Sequence, residues 1–157
     1  YQEKFDEIVI VVKDSEDLYN EILNYYNFTN VSIKKVSNNL TQGPATSVFL
    51  GANGLEDNLT VILSDALYDF DVFDMPNDSV SAMEVTDYSR WCMVDENLVF
   101  YDKPHKKPPT NFALSGVYKF SKPKEFYEIA KNYIENSKTE TQLSNILEEY
   151  EIPFGTS

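Results

Sequence analysis

Residues 5–36 read FDEIVIVVKDSEDLYNEILNYYNFTNVSIKKV, and this stretch decides the fold class. Phe5 to Val12 carries an apolar, mostly β-branched run at its end, with no polar alternation. Such a run marks a strand covered on both faces. Ser15-Glu-Asp then reads as a helix start, with Ser15 or Asp14 as the cap. Leu18, Tyr19, Ile22, Leu23 and Tyr26 recur at helical spacing, which predicts an amphipathic helix over Asp17–Tyr25. Val31 to Val36 alternates and reads as a short strand. Strand, helix and strand within about 30 residues form a βαβ unit and set an α/β class.

Outward from this unit the pattern continues. A polar turn, Ser37 to Pro44, leads into a helix over Ala45–Ala52 that begins at Pro44. Proline is favourable there because the first helical turn leaves its N–H position unpaired anyway. Leu59 to Leu63 is a second apolar strand, ending in Ser64-Asp65. We expect it to run parallel with the strands at Ile8 and Val31. Asp69 to Asp78 is an acidic loop with a short helix around Asp71. Val80–Glu84 is a strand, and Arg90–Val94 and Leu98–Tyr101 pair around Asp95-Glu-Asn97. The proline-rich segment 102–110 fits neither sheet nor helix. Phe112–Phe120 is a strand with Gly116 at its middle. Pro123–Asn136 and Thr141–Tyr150 carry helical apolar spacing.

Charge and composition exclude several functions. The 157 residues carry 13 Lys+Arg against 26 Asp+Glu, a formal net charge of -13. A binder of nucleic-acid backbones or anionic membranes needs a basic footprint, and this chain has none. No apolar run reaches the roughly 18–20 residues that span a bilayer. Cys92 is the one cysteine, so neither an intrachain disulfide nor a Cys-rich zinc site can form, and a reducing cytoplasm is the expected compartment. No G-x-x-x-x-G-K-[ST] or G-x-G-x-x-G run occurs, and no serine sits in a G-x-S-x-G setting.

Candidate residues follow from position. Ligands of open α/β sheets bind beyond the carboxyl ends of strands. That rule selects Ser64, Asp65 and the turn holding Gln42, Gly43 and Pro44. A carboxylate fixed at a strand end can hold magnesium, and the plain alternative is that Asp65 caps a turn. Gly43 before a helix start can offer backbone N–H groups to an anion, or be an ordinary turn. Lys103, beside Asp102 and fixed by Pro104, can meet a phosphate as a point charge, or be a solvated lysine. Gly116 marks a bulge or a close ligand approach. Glu140 stands before the last helix and can cap it. Trp91 is either core or, with Arg90, an exposed rim.

In order, these pieces resemble the nucleotidyltransferase family that makes nucleotide-activated sugars, cholines and related alcohols. Phe5 to Val12 resembles its second core strand, and Thr41-Gln-Gly-Pro-Ala-Thr46 its glycine turn and helix. Val61-Ile-Leu-Ser-Asp65 resembles the strand ending in the metal-binding aspartate. Ser89 to Val94 resembles a Trp-centred strand of its small surface-polysaccharide members. Tyr101-Asp-Lys-Pro104 resembles its Glu-Lys-Pro motif, with Asp102 in the Glu place. Ala113 to Tyr118 resembles the Gly-Ile-Tyr strand, and Glu140 to Asn145 the Glu-x-x-Leu-Thr-Asp segment.

The resemblance implies a Rossmann-like three-layer α/β/α fold with a mixed, mostly parallel sheet, forming one domain that is incomplete at its N-terminus. It implies transfer of a nucleoside monophosphate from a nucleoside triphosphate to a sugar phosphate or phosphorylated alcohol, releasing pyrophosphate, in surface-polysaccharide precursor synthesis. Asp65 would hold Mg2+ and Lys103 the acceptor phosphate. Gln42 and Gly43 would face the base or ribose, with Pro44 opening their helix. Gly116 and Glu140 would line the acceptor pocket, with Ser64 and Asp102 beside the principal residues. Family relatives are often oligomeric, although no interface is marked here. The family opens with a glycine-rich, arginine-bearing loop and a Lys-Pro pair, and this chain is expected to start after them. Its late aspartate before Gly-Thr corresponds to Pro153 or Phe154 here. A non-catalytic nucleotide- or sugar-phosphate-binding domain of the same fold is therefore the alternative. A glycosyltransferase donor domain, using Asp69-Phe-Asp71, ranks third.

Overall fold

The computed structural model describes residues 4–36, 43–137 and 142–150. The chain divides into two compact units, residues 1–53 with 130–142, and residues 54–129 with 143–157.

The first unit contains the βαβ segment. β1 (Ile8–Val12) and β2 (Val31–Lys35) pair in parallel, from Ile8 opposite Val31 to Val12 opposite Lys35. α1 (Glu16–Tyr26) connects them. Its cap differs from expectation. Ser15 is left-handed, with φ 59°, and makes no side-chain cap bond; its Oγ donates to Asp14 Oδ1 instead. A capping side chain needs an extended backbone to reach the first amides, and the short turn out of β1 denies it that conformation. α1 buries no residue. Leu18, Ile22 and Tyr26, which make up its expected apolar face, are 56%, 43% and 60% exposed. α2 (Pro44–Ala52) behaves oppositely and buries Ala45, Thr46, Val48, Phe49 and Ala52, packing on β1. Lys34 Nζ reaches from β2 to the Leu50 and Asn53 carbonyls at 3.2 and 3.1 Å. A cation there satisfies carbonyls that a helix end leaves unpaired.

The second unit is built on a five-stranded antiparallel sheet. Its strands are β3 (Leu59–Ile62), β4 (Ser79–Glu84), β5 (Cys92–Val94), β6 (Phe100–Asp102) and β7 (Phe112–Phe120). β7 is central. It takes β4 along one edge, and β3 and then β5 along the other, with β6 outside β5. This corrects the expectation of a mostly parallel sheet with Val61 beside Ile8 and Val31. Val61 pairs antiparallel with Tyr118, and β1–β2 is the one parallel pair among the described strands. The reason is chain economy. β5 and β6 are joined by a tight turn, which only antiparallel neighbours permit. Nine-residue β7 offers both edges to strands that each reach it without a helical crossover.

Two helices contribute to this unit. α3 (Pro123–Asn136) contains the division after Ile129, and α4 (Leu143–Tyr150) follows it. Phe120 packs against Phe126 with tilted rings 4.3 Å apart and meets the Tyr150 ring edge-on at 4.9 Å. Phe120, Phe126, Met93, Val117 and Ile146 are fully buried. Two short 3-10 turns, Val72–Asp74 and Tyr88–Arg90, are capped by Asp71 and Asp87.

Candidate functional site

β7 changes partner along one edge, and that change defines the site. β3 pairs with residues 117–120 of β7 and leaves after Leu63, whose N–H donates to the Gly116 carbonyl at 2.9 Å. β5 joins further along, with Met93 opposite Ala113. A gap opens between them at Gly116. β3 approaches it by its carboxyl end, carrying Ser64 and Asp65. β6 runs antiparallel to β5, with Cys92 opposite Asp102, so its carboxyl end approaches the gap from the other side, carrying Lys103. β3 and β6 thus both end toward the stretch of β7 where the partner changes, with Asp65 three residues beyond β3 and Lys103 one residue beyond β6.

The backbone at the gap is specialised. Gly116 has φ 105°, a conformation that side chains disfavour. β7 bulges here against β4, and Ser81 fills the bulge. Ser81 Oγ accepts the Val117 N–H at 3.0 Å and bonds Ser115 Oγ at 2.6 Å. The expected bulge at Gly116 is present, and the near neighbour there is Tyr68. A Cβ at position 116 would lie 2.7 Å from the Tyr68 hydroxyl. That hydroxyl stands 3.0 Å from the Ser115 carbonyl and 3.4 Å from that of Leu63.

Lys103 is exposed and left-handed, with φ 42°, and its N–H donates to the Trp91 carbonyl at 2.9 Å. A non-glycine residue held there is strained, by about 1–3 kcal/mol, and such strain gathers at working sites. Trp91 is 40% exposed, which places it with the rim reading instead of the core. Cys92 lies in electrostatic range of Asp102 and Lys103; burial, then the Asp102 charge, pushes its thiol up to about 11. A thiol so raised is a poor nucleophile at neutral pH. Tyr118 is buried, and burial followed by the charges of Cys92, Tyr68 and Asp65 pushes its phenol upward. The same neighbours place Tyr118 beside the gap.

The other expected residues fall elsewhere. Gly43 and Pro44 belong to the first unit, where Gly43 caps α2 with φ 144° and no side-chain cap bond. That backbone conformation is open to glycine and not to other residues. Gln42 and Glu140 lie outside the described residues. Asp71 of the Asp-Phe-Asp tripeptide is engaged locally, its Oδ1 accepting the Phe73 N–H at 2.9 Å.

Among the described residues, no three His, Cys, Asp or Glu side chains gather to hold a metal. Asp65 is an exposed carboxylate in the turn that follows β3. That donor set does not form a closed cage. One carboxylate alone would leave the rest of a Mg2+ shell to waters and phosphate oxygens.

Sequence reasoning missed Tyr68, Ser81, Tyr118 and Lys119. Only Lys119 left a signal, as a charge inside the otherwise apolar run VYKF. It is 8% exposed, and its Nζ donates to the Met75 and Phe73 carbonyls at 2.7 and 3.2 Å.

The class this fold defines is mixed α/β, with a split antiparallel sheet in one unit and a parallel βαβ pair in the other. No family model matches the chain. It is similar to the bifunctional protein GlmU of Methanococcus aeolicus, with 22% identity over 152 residues. The similarity covers 92% of this chain and 36% of that protein, so the chain spans about a third of that relative's length. The likeness agrees with the nucleotidyltransferase resemblance at the level of the broad family. No described helix is long and apolar enough to cross a membrane.

Proposed function

We propose that the chain is the core of a nucleotidyltransferase that joins a nucleoside monophosphate to a sugar phosphate or phosphorylated alcohol. The observation that carries this reading is a likeness to GlmU that runs along nearly the whole chain. The positions of Asp65 and Lys103, just beyond the ends of β3 and β6 where β7 changes partner, are in keeping with it. In the reaction an acceptor phosphate oxygen attacks the α-phosphorus of the triphosphate. A new P–O bond forms, the α–β bridging bond breaks, and the pair leaves with pyrophosphate. No protein nucleophile is required, in keeping with the suppressed Cys92 thiol. Lys103 neutralises the acceptor phosphate and orients it for in-line attack. Asp65 would hold Mg2+, which when bound withdraws charge from the phosphates.

Pyrophosphate release from each nucleoside triphosphate, with a panel of sugar phosphates and Mg2+, tests the reading. Asp65→Ala and chelation of Mg2+ should each abolish release. Near-normal turnover by Asp65→Ala would overturn the assignment.

A further inference from the structure

Residues 64–70 form an irregular segment after β3, and Tyr68 is the one residue in it that is not exposed. Leu67 is fully open to solvent and Phe70 is 39% exposed. The Tyr68 side chain therefore anchors the segment that carries Asp65. Its hydroxyl points into the gap in the sheet, at the Ser115 and Leu63 carbonyls, directly over the face of Gly116. One phenolic proton faces two acceptors, so at most one full bond forms at a time. The acceptors are a β7 carbonyl and the carbonyl of the residue after β3, at the point where β3 parts from β7. A ligand hydroxyl arriving over Gly116 would meet these same two carbonyls, and would find the phenol already on them.

We propose that Tyr68 is a latch. Its hydroxyl occupies the place of an acceptor hydroxyl over Gly116. A hydroxyl-bearing ligand, a sugar phosphate, takes over the Ser115 and Leu63 carbonyls as the Tyr68 side chain swings outward. The proposal rests on the reading of Gly116 as a lining of the acceptor pocket. The closed latch lowers apparent affinity, because the ligand binds only the fraction of molecules already open. Removing the phenolic oxygen should raise that fraction. The net worth of one neutral hydrogen bond corresponds to about three- to tenfold in an equilibrium.

The experiment compares the wild type, Tyr68→Phe and Tyr68→Leu, titrated with glucose 1-phosphate by calorimetry. Hydrogen exchange of residues 64–70 is followed alongside. Both variants should bind about three- to tenfold tighter than wild type. Exchange across 64–70 should be faster in the free variants, and faster in the wild type once ligand is bound. Unchanged affinity in both variants would overturn the latch. So would ligand-induced protection of 64–70 in the wild type, or no binding by any form. Pyrophosphate release from the same proteins separates this from the transferase reading. Tighter binding without release keeps the latch and discards the transferase. Release with the same KM for glucose 1-phosphate in all three discards the latch alone.

Discussion

Ser81 Oγ accepts the Val117 N–H at 3.0 Å, across a place where two paired strands fall out of step. Between the pairs Val80–Tyr118 and Ala82–Leu114, β4 has Ser81 alone while β7 has Ser115, Gly116 and Val117. A bulge of this kind removes ladder partners from buried amides, and a buried N–H without a partner is costly. The Ser81 hydroxyl takes the place of the missing carbonyl. This makes the bulge at Gly116 a stable feature of the sheet.

Ser81→Ala should therefore destabilise the fold by about 1–3 kcal/mol, the cost of stranding a buried donor. Urea denaturation would show a lower midpoint with an unchanged slope. A loss under about 0.5 kcal/mol, the range of ordinary surface changes, would mean the bulge does not depend on this hydroxyl.

Asp78 and Tyr150 give the fold a pH signature at both ends. Asp78 accepts from the Ser121 N–H at 2.8 Å, from Ser121 Oγ and from the Tyr150 hydroxyl. Burial acts to raise its carboxyl, but the Ser121 and Tyr150 bonds, with Lys122 nearby, outweigh it and hold it below its usual value. Its contribution is present above the ordinary carboxylate range and is lost as pH falls through the lowered value. Tyr150 is pushed up to about 12, by burial first and then by its bond to Asp78. Its contribution is complete below about pH 10 and declines as pH rises toward about 12. Subtracting the stability profile of Tyr150→Phe from that of the wild type should isolate this alkaline decline. The same variant should raise the Asp78 carboxyl in an NMR titration. A difference that stays flat from pH 9 upward, on the order of the tyrosine range, would count against the network.

Lys119→Met should cost about 1–3 kcal/mol although it replaces a charge with an apolar side chain of similar length. The Phe73 and Met75 carbonyls, which Lys119 Nζ now satisfies, would lose their donor. Burial pulls this ammonium down, against the opposing pull of Asp71 and Asp74. Thermal melts of the variant should fall, and the turn at Val72–Asp74 should lose hydrogen-exchange protection first.

Lys103→Gly separates backbone from charge. Glycine accepts φ 42° without strain, while its extra freedom in the unfolded chain offsets the gain. Stability should stay within about 0.5 kcal/mol of wild type. The KM for the acceptor phosphate should rise about tenfold or more, the equivalent of a charge-assisted bond. Equal KM values would remove Lys103 from the site.

Local pattern alone determined much of this protein. The apolar run Ile8–Val12, the proline at 44, the nine residues of β7 and the span Pro123–Asn136 all lie where periodicity and turn chemistry put them. These features depend on neighbours a few positions apart, which a sequence displays directly. The aspartate after β3 and the lysine after β6 were also legible, because strand ends are visible as composition boundaries. Strand direction was not. Val61 has the same apolar character whether it lies beside Ile10 or Tyr118, and only long-range pairing chooses between them. The exposure of α1 was hidden for the same reason, since an apolar stripe does not say whether anything covers it. Tyr68, Ser81 and Tyr118 acquire their roles from the split in the sheet, and no local signal marks them. Tertiary structure alone decided that β7 would part from β3 at Gly116, because that choice is set by which edges are free when the strands assemble.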